Sequence, residues 1–426
     1  MVGIPMLEAH WRRPGLEPAA GAANAEIEEK QMGQKVVVAG VGMIPFVKPG
    51  QNENYVAMGE QAVRLALADA GVGYESIQQA YASYVFGDST SGQRVLYNVG
   101  MTGIPVINVN NNCASGSTAL YLANQAISSG MVDIVLAFGF EQMVPGAIPS
   151  SFADRPSPLE LFLDQCDAAI PGAAQIPAAL RIFGSAGVEH MKRFGTPLET
   201  FAKIRAKASR HAANNPKAVF RKVVSVEDVM ADQVVWPEVM TRLMACPPTC
   251  GAAAAVLCSE AYARKHGLDG SVWIAGQALT TDGAETFRSG DMRDVAGYSM
   301  SRAAAQKAYE QAGLGAEDVN LVELHDCFAQ NELLTYESLG LCPEGGAQKF
   351  VDDGDNTYGG RYVVNPSGGL LSKGHPIGAT GLAQCTELVQ QLRGQAEQRQ
   401  VEGARVALQH NIGIGGACVV TLYRKD

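Results

Sequence analysis

Two stretches decide the fold: Asn108-Val-Asn-Asn-Asn-Cys113-Ala-Ser-Gly-Ser-Thr118-Ala-Leu120 and Gly374-His375-Pro-Ile-Gly-Ala-Thr380-Gly-Leu382. With Cys113 laid on His375, the pairs Gly116/Gly378, Thr118/Thr380 and Leu120/Leu382 coincide. The first stretch follows an apolar strand, Ile104 to Val109, and opens a helix striped by Ala119, Leu120, Ala123 and Ile127. The second reads the same way, with Pro376 suited to a first helical turn.

The repetition extends outward. A strand-like run, Lys35 to Gly42, precedes a helical stripe of Ala62, Val63, Ala66, Leu67 and Ala70 that Gly71 closes. Val272 to Gly276 and the stripe Ala305, Ala308, Tyr309 and Ala312, closed by Gly313, repeat that order. The offset grows by twenty residues between the two landmarks, which places a loop insertion in the Gly- and Asp-rich stretch from Cys342 to Gly360. Each unit ends in a buried-strand run, Asp133 to Phe138 and Arg405 to Leu408. Such units predict two duplicated α/β halves with largely parallel, buried strands. Packing about a pseudo-two-fold axis would bring Cys113 face to face with His375.

The first half is assigned to residues 35–146 plus 248–268, and the second to 269–426. Residues 147–247 break the pattern with Pro149, Pro156, Pro158, Pro171, Pro177 and Pro197, then helical stretches and a basic patch of Arg210, Lys217, Arg221 and Lys222. They read as a loop domain inserted in the first half, used as a cover over a ligand. Residues 1–34 are expected to be poorly ordered.

Composition narrows the classes. At 426 residues, 47% hydrophobic and 18% charged, the chain has material for several cores and a water-excluding site. A net charge of −10 argues against nucleic acid as the partner, while a local basic pocket for an anionic ligand stays open. No apolar run approaches the ~20 residues of a membrane span. Glu8, Glu17, Glu26, Glu28 and Glu29 argue against a transit peptide, and the last residues, Tyr-Arg-Lys-Asp, are not a peroxisomal address. The expected compartment is the cytoplasm, or a peroxisome or mitochondrion in a eukaryote. Nine scattered cysteines read as reduced thiols. Cys246 and Cys250 have no second Cys or His pair near them, so no metal site is expected.

Cys113 sits at a helix start, where free backbone N–H groups and the dipole are expected to lower its pKa from ~8.5 by a unit or more and to hold an oxyanion. His375, at the equivalent position of the other half, supplies the base that a thiol nucleophile needs. Leu321-Val-Glu-Leu-His325-Asp-Cys327-Phe328 places a His and a second Cys after an apolar strand, a usual location for catalytic groups in α/β folds. In His410-Asn-Ile-Gly-Ile-Gly415-Gly416-Ala-Cys418 the glycines let backbone approach a ligand, and Cys418 reads as core.

Taken together, these motifs resemble the thiolase superfamily, most closely its sterol carrier protein 2 type. The carriers are Asn108–Thr118, His325–Phe328 continuing through Asn331 to Tyr336, Asp355–Gly360, Asn365–Pro376 and His410–Gly416, and the similarity runs from about Val36 to Arg424. The resemblance implies the thiolase fold, a five-layer αβαβα arrangement of two duplicated halves, and a homodimer. It implies a 3-ketoacyl-CoA thiolase that releases acetyl-CoA, or runs the reverse condensation, with coenzyme A as substrate and no tightly bound cofactor. Cys113 matches the nucleophile and His375 the histidine that activates it. His325 matches a position where other thiolases carry an oxyanion-hole asparagine, and Cys327 is similar to the acid/base cysteine. Ordinary thiolases carry that cysteine in a Cys-x-Gly motif, where this chain reads Asn411-Ile-Gly413. Backbone N–H groups of Cys113 and Gly416 would form the other oxyanion hole. Ser367, Gly368, Arg210 and Lys217 are the candidate substrate contacts. A separate lipid-carrier domain is expected to be absent.

Three alternatives share parts of this pattern. A CoA-condensing synthase would use the same nucleophile without the paired cysteine. A retro-aldolase of this fold would be expected to lose Cys113 and His375. A non-catalytic acyl-CoA or lipid carrier would bind without releasing acetyl-CoA.

Overall fold

The computed structural model describes residues 33–146, 152 and 154–426. The expected disorder of the N-terminal segment falls, up to residue 32, outside the described residues, as does Pro149.

The first half runs β1 (Val36–Met43), α1 (Tyr55–Ala70), β2 (Gln79–Ser83), α2 (Ser91–Val99), β3 (Val106–Val109), α3 (Ser115–Ser128) and β4 (Ile134–Glu141). An excursion follows: α4 (Glu160–Ala169), α5 (Ala178–Phe194), α6 (Leu198–Ala212), α7 (Val226–Met230) and the small ribbon β5 (Val234–Trp236) and β6 (Met240–Thr241). The chain then returns as β7 (Gly251–Ser259) and leaves through α8 (Glu260–His266). The second half runs β8 (Val272–Thr280), α9 (Met292–Val295), α10 (Tyr298–Ala312), β9 (Leu321–Glu323), α11 (Ala329–Ser338), α12 (Ala347–Asp352), β10 (Val363–Val364), α13 (Gly369–Ser372), α14 (Thr380–Arg393), β11 (Val406–Gly413) and β12 (Ala417–Lys425).

The halves have one topology. Strands β3-β2-β4-β7-β1 are neighbours in the first and β10-β9-β11-β12-β8 in the second. In each, four strands run the same way and one, β7 or β12, runs against them. The strands are thus largely parallel, as expected, with one reversed strand per half that the sequence reading did not single out. The turn between β11 and β12 makes a hairpin, and a hairpin is antiparallel by construction. The halves join edge to edge through one pair, Val37 with Trp273.

Helices α3 and α14 touch each other and strands of both halves, so they form the middle layer. Helix α1 covers the outer face of β1 and β7, and α10 that of β8 and β12, which completes five layers. Burial on both faces explains why β1, β4 and β7 are apolar almost throughout, without alternation. Two glycines carry the duplication into packing. A Cβ on Gly40 would lie 2.5 Å from the Ala66 carbonyl oxygen, and one on Gly276 2.2 Å from that of Ala308. Each half therefore uses a glycine to let its outer helix lie on its first strand.

Candidate active site

Cys113, the candidate nucleophile, stands at the entry to α3. Asn112, at φ 51°, turns the chain sharply after β3, and the helix starts two residues past Cys113. The asparagine run ties this turn down. Asn110 Oδ1 accepts from Asn112 N–H at 3.0 Å, Asn111 Nδ2 donates to Thr118 Oγ1 at 3.1 Å, and Asn112 Nδ2 donates to the Ile414 carbonyl oxygen at 3.2 Å. Short polar side chains that tolerate the left-handed region suit this role.

His375 is held against that turn by the first half. Gly378 donates its N–H to Glu141 Oε2 at 2.9 Å and accepts from Ser83 Oγ at 2.7 Å. Glu141, fully buried at the end of β4, also accepts from the N–H groups of Val85 and Phe86. Burial pushes its pKa up to about 7.

The sulfur of Cys113 and one ring nitrogen each of His325 and His375 lie within 4.8 Å of one another, all three residues buried. The rings of His325 and His375 meet edge to face, 5.1 Å between centroids.

Hydrogen bonds fix where the protons sit. The Thr380 hydroxyl donates to the Pro376 carbonyl oxygen at 2.9 Å, so its oxygen accepts from Nδ1–H of His375 at 2.6 Å. Nε2 of His375 is then a bare lone pair, buried and without a hydrogen-bond partner among the described residues. For His325 the assignment passes through four groups. The Gly381 carbonyl oxygen takes Gln409 Nε2–H at 2.7 Å, and the same Nε2 donates to Ser117 Oγ at 2.8 Å. The Ser117 hydroxyl donates to Asn411 Oδ1 at 2.9 Å, which turns Asn411 Nδ2 toward His325 Nδ1, also at 2.9 Å. His325 accepts at Nδ1 and presents Nε2–H. One histidine of the pair is a base and the other a donor. A metal would need lone pairs from both.

Electrostatics overturn one expectation. Burial pushes the Cys113 thiol up to about 12, with the Glu141 charge adding to the rise, against the lowering by the N–H of Ile414. Desolvation outweighs the helix dipole here. His375 is lowered to about 3 by burial and Lys373, and His325 well below its usual value by burial and its two histidine neighbours. Burial thus favours a neutral thiol beside a neutral imidazole.

Cys327 follows β9, buried, its pKa raised well above 9 by burial, Cys246, Cys113 and Asp326. Gly416, expected to donate to an oxyanion, turns its N–H to the Gly413 carbonyl oxygen at 3.3 Å; the N–H groups acting on the Cys113 sulfur are those of Ile414 and of Cys113 itself. The four proposed substrate contacts do not gather in the cluster. Ser367 is buried with its hydroxyl given to Glu323 at 2.8 Å, and a Cβ on Gly368 would meet Ala212 at 2.4 Å, so Gly368 serves the packing of α6. Arg210 is exposed on α6, and Lys217 is half-buried, with Arg399 and Glu387 acting on it.

The glycine turn after β11 forms one wall of a narrow cleft of about 10 Å³, lined by Phe162, Ile182 and Phe183 of the excursion together with Asp282, Val295, Met300 and Ile412. Neither this cleft nor a wider groove between α10 and Leu339–Glu344 includes Cys113, His325, Cys327 or His375.

Sequence reasoning missed Thr380, Asn411, Glu141 and Cys246 as site residues. Thr380 was visible as part of the repeat, but its bond to its own motif's histidine needs the fold. Cys246 was noticed only for its spacing from Cys250 and set aside as a metal ligand, and nothing in Ala245-Cys-Pro-Pro248 points to Cys327.

Comparison with known proteins agrees with this geometry. Residues 36–261 match the family model "Thiolase, N-terminal domain", and residues 282–423 match "Thiolase C-terminal domain-like". Human sterol carrier protein 2 is 52% identical over 395 residues, covering 92% of this chain and 72% of that protein. Among solved structures, the Ltp2-ChsH2(DUF35) aldolase is similar at TM-score 0.77 and 23% identity, covering 92% of this chain and 98% of that one. Human mitochondrial 3-ketoacyl-CoA thiolase in complex with CoA follows at TM-score 0.69 and 20% identity, covering 92% and 98%. At those identities the structures speak for the fold alone. Model matches over both halves, together with a relative at that identity, establish that the chain belongs to the thiolase family of acyltransferases.

Proposed function

We propose that the chain is a 3-ketoacyl-CoA thiolase, with acyl transfer to coenzyme A through a Cys113 acyl-enzyme. The observation that carries this is the buried triad of Cys113, His325 and His375, within 4.8 Å and holding one bare nitrogen. In the degradative direction the Cys113 sulfur attacks the 3-keto carbon as Nε2 of His375 takes its proton. Carbon–carbon cleavage releases acetyl-CoA as an enolate, whose oxygen accepts from Nε2–H of His325 and whose carbon takes the proton of Cys327. Coenzyme A then gives its thiol proton to Cys327 and removes the acyl group from Cys113. Two lower barriers replace one high one. Coenzyme A is a substrate, and no step needs a metal.

Phe162, Ile182 and Phe183 line a narrow cleft with Ile414, whose N–H acts on the Cys113 sulfur, which supports an aliphatic acyl group bound along that wall. The presence of both Cys113 and His375 favours thiolysis over retro-aldol chemistry, and Cys327 favours it over a condensing synthase. The free outer edge of β3, beside exposed Tyr97 and Met101, supports a homodimer.

The test is thiolysis of a panel of 3-ketoacyl-CoA thioesters by the wild type, Cys113→Ala and Cys327→Ala. Cys113→Ala should lose activity with an unchanged circular-dichroism spectrum, and Cys327→Ala should lose about 10²-fold or more. Acyl-CoA binding without acetyl-CoA release would make the chain a carrier instead.

A further inference from the structure

Cys246 enters the catalytic centre on the strip between β6 and β7. Ala245 and Phe328 form an antiparallel bridge, and Cys246 N–H donates to the Cys327 carbonyl oxygen at 2.9 Å. In that register Cys246 lies directly opposite Cys327, where side chains project to the same side at ~5 Å between Cβ atoms. Two residues further on, Pro248 bridges to His375, so the same strip borders both catalytic motifs. Cys246 is a free, partly exposed thiol.

Cys327 needs such a neighbour. When it protonates the enolate it becomes a thiolate in a buried place, and the titratable groups acting on it are acids: Cys246, Cys113 and Asp326. Burial raises Asp326 itself to about 8, and Asp326 spends its carboxylate on the N–H groups of Leu370 and Leu371. The one backbone donor to Cys327 is Phe328 N–H. A charged Cys246 would raise the Cys327 pKa, but burial raises the Cys246 pKa too, so at neutral pH this thiol keeps its hydrogen, carries no such charge and can donate its S–H.

We propose that Cys246 is a positioning residue for Cys327, its S–H donating to the Cys327 thiolate that forms during turnover. This rests on the acid/base reading of Cys327 given above. The balance is simple. The S–H bond of Cys327 breaks as the C–H bond of acetyl-CoA forms, leaving Cys327 with the charge; the coenzyme A thiol then returns a proton to Cys327 and becomes the attacking thiolate. Cys246 keeps its proton throughout.

The experiment is proton exchange into the methyl group of acetyl-CoA in D₂O, followed by NMR across pH, in the purified protein with Cys246→Ala, Cys246→Ser and Cys327→Ala. Exchange reads enolate formation, the step in which Cys327 moves the proton, without acyl transfer. Cys246→Ala should shift the alkaline rise of the rate upward by about one pH unit and slow exchange about tenfold at pH 7. Cys246→Ser, which keeps a donor, should restore most of the rate. Full labelling of Cys113 by an acyl donor serves as the control for folding. A Cys246→Ala profile that overlays the wild type, or a serine variant no better than alanine, overturns the proposal while an inactive Cys327→Ala leaves the acid/base assignment standing. Normal exchange by Cys327→Ala would remove that assignment itself.

Discussion

Thr380 Oγ1 lies 2.6 Å from Nδ1 of His375 and, by giving its own hydrogen to Pro376, dictates which nitrogen of the ring stays bare. The base of the site is thus set by a hydroxyl one helical turn away. Thr380→Val keeps the volume and removes the acceptor, which leaves a buried N–H without a partner at a cost of about 1–3 kcal/mol. The ring then gains by moving its proton to Nε2. We expect kcat to fall about 10- to 100-fold with little change in KM, and Thr380→Ser to recover most of it. Steady-state kinetics on the three proteins check this.

Glu141 is the strut between the halves. Its carboxyl holds Gly378 N–H from one and the N–H groups of Val85 and Phe86 from the other. Glu141→Ala should let the His375 loop drift from Cys113, and a displacement of ~1 Å in a reacting group costs about 10²-fold. The expected result is a 10- to 100-fold loss of kcat and slower acylation of Cys113, read by mass spectrometry.

Phe183 belongs to the aromatic wall proposed to take the acyl chain. Phe183→Ala removes a ring that lines the cleft and stacks on Phe328 at 5.2 Å. Activity should move toward longer and branched acyl groups, at about 3–5 kcal/mol of stability. Ratios of kcat/KM across a chain-length series measure the shift; an unchanged ratio places the acyl group elsewhere.

Stability should peak near neutrality. His211, His375 and His410 are lowered to about 3 from 6.5. The unfolded chain therefore takes up protons first, and their contribution, complete above 6.5, is lost as pH falls toward 3. Glu141 and Asp326 are raised to about 7 and about 8, so theirs is complete at acid pH and lost as pH rises through those values. Melting temperature against pH should fall on both sides of about 6.5–7. A plateau extending down to pH 4 would contradict this account.

The duplication was legible because each half repeats its punctuation. Gly71 and Gly313 both end an outer helix in the left-handed region, at φ 69° and 62°. Cys113 and His375 could be paired from sequence for the same reason. The antiparallel strands were not legible, since Gly251-Ala-Ala-Ala-Ala-Val-Leu257 is buried on both faces and its direction leaves no mark on composition. The lowered thiol pKa failed because a helix start is a local feature, whereas the burial that outweighs it is assembled from both halves. Ser367 was chosen for its motif, and the structure gives its hydroxyl to Glu323, which also holds Lys373 at 3.1 Å. Polar residues in that stretch brace the backbone.

Helices α3 and α14 lie side by side in the middle layer, each preceded by one member of the reactive pair. Neither unit owns a working centre. A nascent or truncated polypeptide that has organised only one of its two units carries a sulfur with no acceptor for its proton, or an acceptor with nothing to relieve of one. On the proposed mechanism, chemistry switches on only once the whole sandwich has closed.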